Sequence, residues 1–112
     1  MHQLTFSTQS NVVLQHMSQE QQMQLIDFLG GFDFEKSTNF GKIIRGDKTF
    51  YRLPWNDFRI YFECLSEGTF VIHYLLPKHT WNDFLFRFKL PFNEEAIEKD
   101  NRFWQYLENL KK

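Results

Sequence analysis

The sequence predicts a single α+β domain, in which a twisted, mostly antiparallel sheet packs against helices. A strand-like segment and helical spacing come first, three alternating segments follow between residues 50 and 76, and helical spacing returns at the C-terminus. The chain has 112 residues, the usual size of one domain. Its 14 Phe, 4 Tyr and 3 Trp supply a large apolar area for a core.

The N-terminal part of the chain predicts one short strand and two helices. Residues 4–7 alternate between apolar and polar side chains, as strands do. Apolar residues then recur at helical spacing. Ser18 and Gln21 fit a capping box that starts a second helix, and the glycine pair 30–31 is expected to end it. Residues 32–46 are mixed in character and are expected to form a loop.

A β-hairpin is predicted in the middle of the chain. Segments 50–55 and 58–64 flank residues 56–57, which fit a two-residue loop. If Trp55 pairs with Phe58, the alternate residues on one face are all apolar or aromatic, so this face is expected to lie in the core. The opposite face is mixed and carries four polar side chains, Arg52, Arg59, Tyr61 and Glu63.

The next strand is predicted over residues 69–76, after a loop over 66–68 in which Gly68 is left-handed. This register places the more apolar set on the core face: Phe70, Ile72, Tyr74 and Leu76. The other set joins the face of the arginines: Val71, His73 and Leu75. A two-residue loop would reverse the two sets. Cys64 is expected on the core face, as a buried thiol.

Two helices are predicted after the sheet. Thr80 is expected to cap a short helix that runs through Arg87. The last helix is expected over about 93–112, with Glu94 and Glu95 at its N-terminus, where they complement the helix dipole. Its apolar stripe consists of Phe103, Leu107 and Leu110, with Ile97 and Trp104 nearby.

Composition narrows the class of protein. The formal net charge is −1, so no basic field covers the whole chain. A lone cysteine allows no internal disulfide, which suits a reducing compartment. No apolar run approaches the roughly 18 residues of a membrane span, and the N-terminus lacks signal-peptide features, so we expect a cytoplasmic protein without a membrane partner. Nucleotide-binding and metal-binding motifs are absent, so neither cofactor nor metal is expected.

Cationic side chains are concentrated between residues 42 and 89, where eight cations accompany five acids. The cations are Lys42, Arg45, Lys48, Arg52, Arg59, Lys78, Arg87 and Lys89. Such a local excess of positive charge can bind phosphate within a near-neutral chain. The alternative is that these are ordinary surface cations that pair with nearby acids.

The order of a strand, two helices, three antiparallel strands and a helix resembles the RelE/ParE toxin superfamily. The motif is Tyr-Arg-Leu at 51–53, a short turn, and Asp-Phe-Arg-Ile-Tyr at 57–61. Segments 40–46, 71–74 and 78–84 also resemble parts of these proteins. Within the superfamily, the chain resembles the RelE-like cyanobacterial proteins described as cytotoxic translational repressors.

The resemblance covers about residues 1–90 and leaves 93–112 as a C-terminal extension. It implies the toxin of a type II toxin-antitoxin system that cuts mRNA on the ribosome, with attack of the 2′-hydroxyl and a 2′,3′-cyclic phosphate product. The catalytic residues that it implies are Arg52, Arg59, His79 and His73. The substrate-binding residues expected beside them are Lys78, Tyr61, Trp81, Lys42 and Arg45. No metal takes part in this chemistry.

The implied partners are the ribosome, mRNA and a cognate antitoxin. A second hypothesis is a non-catalytic binding module on the same fold, which the near-neutral charge and the extension favour. In that case the apolar side chains of the last helix would form a partner surface or a homodimer interface. A weaker third hypothesis is a gyrase inhibitor of the ParE type.

Overall fold

The computed structural model describes residues 2–66, 68–89 and 93–110. This part of the chain contains five strands and five helices. They are β1 (Gln3–Phe6), α1 (Thr8–Gln15), α2 (Gln19–Gly30), β2 (Gly41–Arg45), β3 (Lys48–Trp55), β4 (Phe58–Ser66), β5 (Thr69–Pro77), α3 (Lys78–Phe88), α4 (Glu94–Glu98) and α5 (Asn101–Leu110).

The strands form one mixed sheet in the order β1-β5-β4-β3-β2. β1 runs parallel to β5, and the other neighbours are antiparallel. The α+β prediction is therefore confirmed, but the expected loop over 32–46 was wrong for its last part, which forms the edge strand β2. The strand pattern of β2 is weak because only Ile43 is buried, opposite Phe50, while Ile44 is exposed at the sheet edge.

The helices begin and end for identifiable reasons. The Ser18–Gln21 capping box is present, with both of its hydrogen bonds formed. Thr80 is not the cap of α3: that helix begins at Lys78, whose backbone N–H donates to the carbonyl of Asp57 at 2.8 Å. Among the described segments, no helix combines the length and the apolar character needed to cross a membrane.

The single C-terminal helix expected over 93–112 is in fact two helices, and its last two residues lie outside the described part of the chain. Asp100 makes the break, because its carboxylate accepts a hydrogen bond from the backbone N–H of Arg102 at 2.9 Å and starts α5. The C-terminal segment therefore folds back on itself and packs against the sheet twice.

The predicted hairpin register is confirmed. Trp55 pairs with Phe58 and Leu53 pairs with Ile60, and the register of β3 and β4 does not shift between these pairs and Phe50–Glu63. In the two-residue loop, Asn56 adopts a positive φ of 51°, a conformation that asparagine tolerates better than most residues.

The loop expected over 66–68 was wrong at its start, because Ser66 belongs to β4 and pairs with Thr69. A register shift between Ser66 and Cys64 then restores the predicted pairing from Cys64 to Phe62, which lies opposite Ile72. Tyr61 then lies opposite Tyr74, so His73 is an extra residue that forms a β-bulge. The bulge shifts the rest of β5 by one residue. Tyr74 and Leu76 therefore face the arginine side, contrary to the prediction, and Leu75 faces the opposite side.

Both faces of the sheet are core faces. One packs against α1 and α2, with a buried cluster of Leu25, Leu29, Phe32, Leu53, Ile60, Phe62, Phe70, Ile72 and Leu75. The second packs against the C-terminal helices, with Ile43, Phe50, Tyr61, Tyr74, Leu76, Trp81, Phe84, Ile97, Phe103, Trp104 and Leu107. Cys64, expected to be buried, is exposed, because it lies beside the irregular end of β4.

Replacing Leu107 by alanine tests whether α5 belongs to the cooperative fold. Leu107 is fully buried in the second cluster, so Leu107→Ala is expected to lower the free energy of unfolding by about 2–5 kcal/mol. Urea unfolding monitored by circular dichroism measures this. Leu65, which is 60% exposed, is the matched control, and Leu65→Ala is expected to change stability by less than about 0.5 kcal/mol. Equal effects of the two substitutions would show that α5 is not part of the core.

Candidate functional site

Arg52, Arg59 and Tyr61 lie side by side on the second face of the sheet. Arg52 pairs with Tyr61 across β3 and β4, and Arg59 precedes Tyr61 by two residues, so the three side chains point to the same side. The predicted common face of these residues is therefore present. It is covered by the C-terminal helices, so their polar atoms contact other parts of the protein.

Two carboxylates of α4 meet these side chains. Arg52 donates from Nη1 to Oε1 of Glu98 at 2.5 Å, and its Nε lies 3.3 Å from Oε2 of Glu94. Arg59 donates from Nε to Oε1 of Glu94 at 2.8 Å. Tyr61 donates its hydroxyl to Oε2 of Glu98 at 2.9 Å. Because Glu94 and Glu98 are one helical turn apart, they form one acidic row above both arginines.

The position of α4 is set from both ends. Asn93 accepts a hydrogen bond from the backbone N–H of Ala96 at 3.1 Å and caps the helix. At the other end, the indole Nε1 of Trp104 donates to the backbone carbonyl of Glu98 at 2.8 Å. The second bond ties α4 to α5, so the carboxylate of Glu98 is held in place by its own backbone as well as by its partners.

Gly41 leaves room for the guanidinium of Arg52. The two residues lie opposite each other in β2 and β3. A Cβ atom at residue 41 would lie 2.5 Å from Nη2 of Arg52. The absence of a side chain at this position therefore allows Arg52 to lie against the edge strand and still reach Glu98.

Burial shifts the protonation equilibria of this network. Desolvation raises the pKa of Glu98, and the nearby Arg52 and the hydrogen bonds only partly oppose it. Desolvation and the negative charge of Glu98 hold the pKa of Tyr61 well above its ordinary value. For Arg52, burial alone would lower the pKa, but the attraction of Glu98 more than compensates and the net shift is upward. Arg52 therefore stays charged, and Glu98 is the group of the three whose pKa moves towards neutrality.

A groove of about 1070 Å³ lies beside this network, between β2–β3 and α4–α5. We name it the strand–helix groove. Five cations and three carboxylates line it: Lys42, Arg45, Lys48, Arg52, Lys99, Glu95, Glu98 and Glu108. His73 and Trp104 also line it. The groove therefore combines an excess of positive charge with a histidine and with the carboxylate of raised pKa.

His73, the extra residue of the β-bulge in β5, lines this groove, on the face of the arginines where it was predicted. Its Nε2 lies 3.0 Å from Oε1 of Glu63, which makes a hydrogen bond and, when the imidazole is protonated, an ion pair. The imidazole meets the ring of Phe50 edge-on at 5.1 Å between centroids. Glu63 and Phe50 together fix the orientation of the imidazole, as a carboxylate partner commonly does for a functional histidine.

The other predicted site residues lie elsewhere. Lys78 and His79 are exposed at the start of α3 and do not line the groove. Trp81 is 2% exposed and packs on Phe103 at 5.1 Å, so its ring is not available to stack on a base in this arrangement. Tyr61 is buried and does not line the groove, although it contacts two residues that do, Glu98 and Trp104. Of the predicted residues, the groove brings together four, which are Arg52, His73, Lys42 and Arg45.

The groove and the network include residues that were not predicted to lie at the site, among them Glu94, Glu98, Lys48 and Lys99. Glu94 was predicted only as a favourable charge at a helix N-terminus. The spacing of Glu94 and Glu98 was visible in the sequence, but it did not indicate which face of the sheet the helix would cover.

Comparisons with known proteins add no relative: no family model, curated protein or solved structure matches the chain. Among the described residues, no group of three or more His, Cys, Asp or Glu side chains is arranged to hold a metal ion.

Glu98 is expected to make stability depend on pH. Because its pKa is raised in the folded state, the folded protein binds this proton more tightly than the unfolded chain. The stabilisation of the folded state by this proton is fully present below the ordinary carboxyl pKa of 4.5 and is lost as pH rises through the raised pKa. We therefore expect the free energy of unfolding of the parent to fall as pH rises above 4.5, and we expect this fall to be absent in Glu98→Gln. Urea unfolding across that pH range measures both.

Glu95 is the matched control for this prediction, because it lies on the same helix but is exposed. Glu95→Gln removes the same charge and is expected to keep the parental pH dependence. If the free energy of unfolding depends on pH in Glu98→Gln as it does in the parent, or if both variants lose this dependence equally, the assignment to Glu98 is wrong.

Proposed function

We propose that this chain is a RelE-like toxin, a ribosome-dependent mRNA endonuclease that acts at the strand–helix groove. The observation that carries the proposal is that Arg52, His73 and Glu98 line one groove together with Lys42 and Lys48. Cleavage through the 2′-hydroxyl needs a base, an acid and a cation for the phosphorane. The groove contains a side chain suited to each of these tasks.

The roles follow from the environment of each side chain. Glu98, with its pKa raised by burial, accepts the proton of the 2′-hydroxyl as the O2′–P bond forms. Arg52, permanently charged, stabilises the phosphorane. Protonated His73, oriented by Glu63, gives its proton to the leaving 5′-oxygen as the P–O5′ bond breaks. The products are a 2′,3′-cyclic phosphate and a 5′-hydroxyl.

The remaining cations suit the phosphates on either side of the cleaved bond. Lys42, Lys48 and Lys99 line the groove, and none of them is ion-paired with a carboxylate in the described part of the chain. Unpaired lysines are available for phosphate oxygens, and the binding that they supply weakens as salt increases. The local excess of cations thus offsets a net charge of −1 over the whole chain.

Binding without cleavage is a second candidate function, and one observation favours it. Arg52 and Arg59 are already neutralised by Glu94 and Glu98, so a phosphate must compete with carboxylates for them. Phe103, Trp104 and Leu107 are buried within the chain, so these side chains do not form the surface expected for a homodimer, and the homodimer stays a prediction. The cognate antitoxin, the cytoplasmic location and the gyrase-inhibiting alternative stay predictions.

His73 and His79 separate the groove from the site that the resemblance alone implies. We expect His73→Asn to slow cleavage of ribosome-bound mRNA at least about 100-fold, because it removes the acid for the leaving oxygen. His79→Asn is expected to cleave at close to the parental rate, since His79 lies outside the groove. Primer extension on mRNA bound to purified ribosomes measures both cleavage rates.

Two outcomes would contradict the proposal. If His79→Asn is impaired as severely as His73→Asn, the groove is not the catalytic site. If the parent binds RNA but yields no cleavage product and does not slow growth when expressed, the chain is a binding module. Matched urea midpoints for the two variants exclude misfolding as the cause of a loss.

A further inference from the structure

Arg45 lies on the ring of a tryptophan at the mouth of the strand–helix groove. It is the last residue of β2 and pairs with Lys48 across the turn at Gly46, which has a positive φ of 64°. Its Cζ lies over the indole of Trp104, 4.3 Å from the ring centroid. This contact is a cation–π interaction, which holds a guanidinium against an aromatic face.

The tryptophan beneath Arg45 is held rigidly. Trp104 is 3% exposed, and its Nε1 donates to the backbone of Glu98. Its ring packs against Phe50 at 5.7 Å and against Tyr61 at 5.8 Å. Arg45 therefore rests on a fixed support, and the orientation of its guanidinium is largely set before any ligand binds.

The guanidinium is not used by an acidic neighbour. In the segments that the structure describes, no carboxylate forms an ion pair with Arg45, in contrast to Arg52 and Arg59. Arg45 is half-buried and lines the groove. The indole lies beneath Arg45, and Arg45 also borders the open groove, so a ligand in the groove can reach its guanidinium.

We propose that Arg45 is a stacking platform for an unpaired nucleobase, so that the strand–helix groove binds single-stranded RNA. Guanidinium planes stack on unpaired bases in RNA recognition, and the indole beneath extends the stack to a third layer. Lys48 is opposite Arg45 in the sheet register and supplies a charge for the adjoining phosphate. The inference rests on the proposed function and adds the base to what that function requires.

The chemistry of the platform limits the ligand. A base inside a duplex is already stacked on both sides, so only an unpaired base can use Arg45. Stacking is tolerant of base identity because every base has a π-face. Arg45 therefore selects for an unpaired nucleotide at one position, while the neighbouring lysines respond only to phosphate charge.

The test is binding of a fluorescent single-stranded RNA of about ten nucleotides, measured by anisotropy with the full chain. The same RNA is prepared with one abasic site at each position in turn, which removes a base and keeps every phosphate. For the parent, one abasic position is expected to weaken binding about tenfold. Arg45→Lys, which keeps the charge and loses the plane, is expected to weaken binding of the intact RNA by the same factor.

The deciding measurement is whether the effect of the abasic site on binding depends on Arg45. In Arg45→Lys the abasic site is expected to have no further effect, because the stack is already lost. Lys48→Ala is the control, and it is expected to weaken intact and abasic RNA equally, since it loses only a phosphate contact. If Arg45→Lys binds intact RNA as tightly as the parent, or if its abasic loss equals that of the parent, the inference is wrong.

The same experiment distinguishes this failure from failure of the proposed function. Parental RNA binding and cleavage, with no coupling between Arg45 and the base, would overturn the stacking inference alone. Absence of RNA binding by the parent, on or off the ribosome, would overturn both.

Discussion

The carboxylate of Glu98 joins the C-terminal helices to the sheet, and the organisation of the second face depends on it. Glu98 is only 5% exposed, and a buried carboxylate is costly unless its oxygens are satisfied. Arg52 satisfies one oxygen and Tyr61 the other. Each partner is also buried or half-buried, so removing Glu98 would leave the hydroxyl of Tyr61 without its acceptor and Arg52 with only the longer ion pair to Glu94. The three groups therefore require each other, and α4 is held where they meet.

The β-bulge at His73 is the second constraint, because it lets one strand serve two cores. Before the bulge, Phe70 and Ile72 pack with α1 and α2. After it, Tyr74 and Leu76 fill the side of the C-terminal helices. The extra residue itself is turned towards the groove, where Glu63 orients it. A single irregularity thus turns Tyr74 and Leu76 into the second core, on the same face of the sheet as His73.

The groove lies between residues 1–90 and the C-terminal extension. Its β2–β3 wall belongs to residues 1–90, for which the sequence predicts a resemblance to the RelE/ParE toxins, whereas the wall of α4–α5 belongs to the predicted extension. Glu98 and Trp104 come from the extension. A site confined to the family-like region would have lacked both the carboxylate and the support for Arg45. His79 and Trp81, which the resemblance implies as site residues, lie in α3 and do not line the groove.

The sequence by itself determined the local features: the capping box at Ser18, the hairpin register from Trp55 to Phe58, and the common face of Arg52, Arg59 and Tyr61. Each depends on residues close in the chain, where hydrogen-bond geometry and strand alternation leave little choice. Only the tertiary structure decided that this face would be buried, that β5 would shift by one residue at His73, and that Glu98 would lie on Arg52. These outcomes depend on contacts between distant segments, such as the 46-residue separation of Arg52 and Glu98. The hydrophobic periodicity of the sequence does not indicate which of the two faces of the sheet a distant helix will cover.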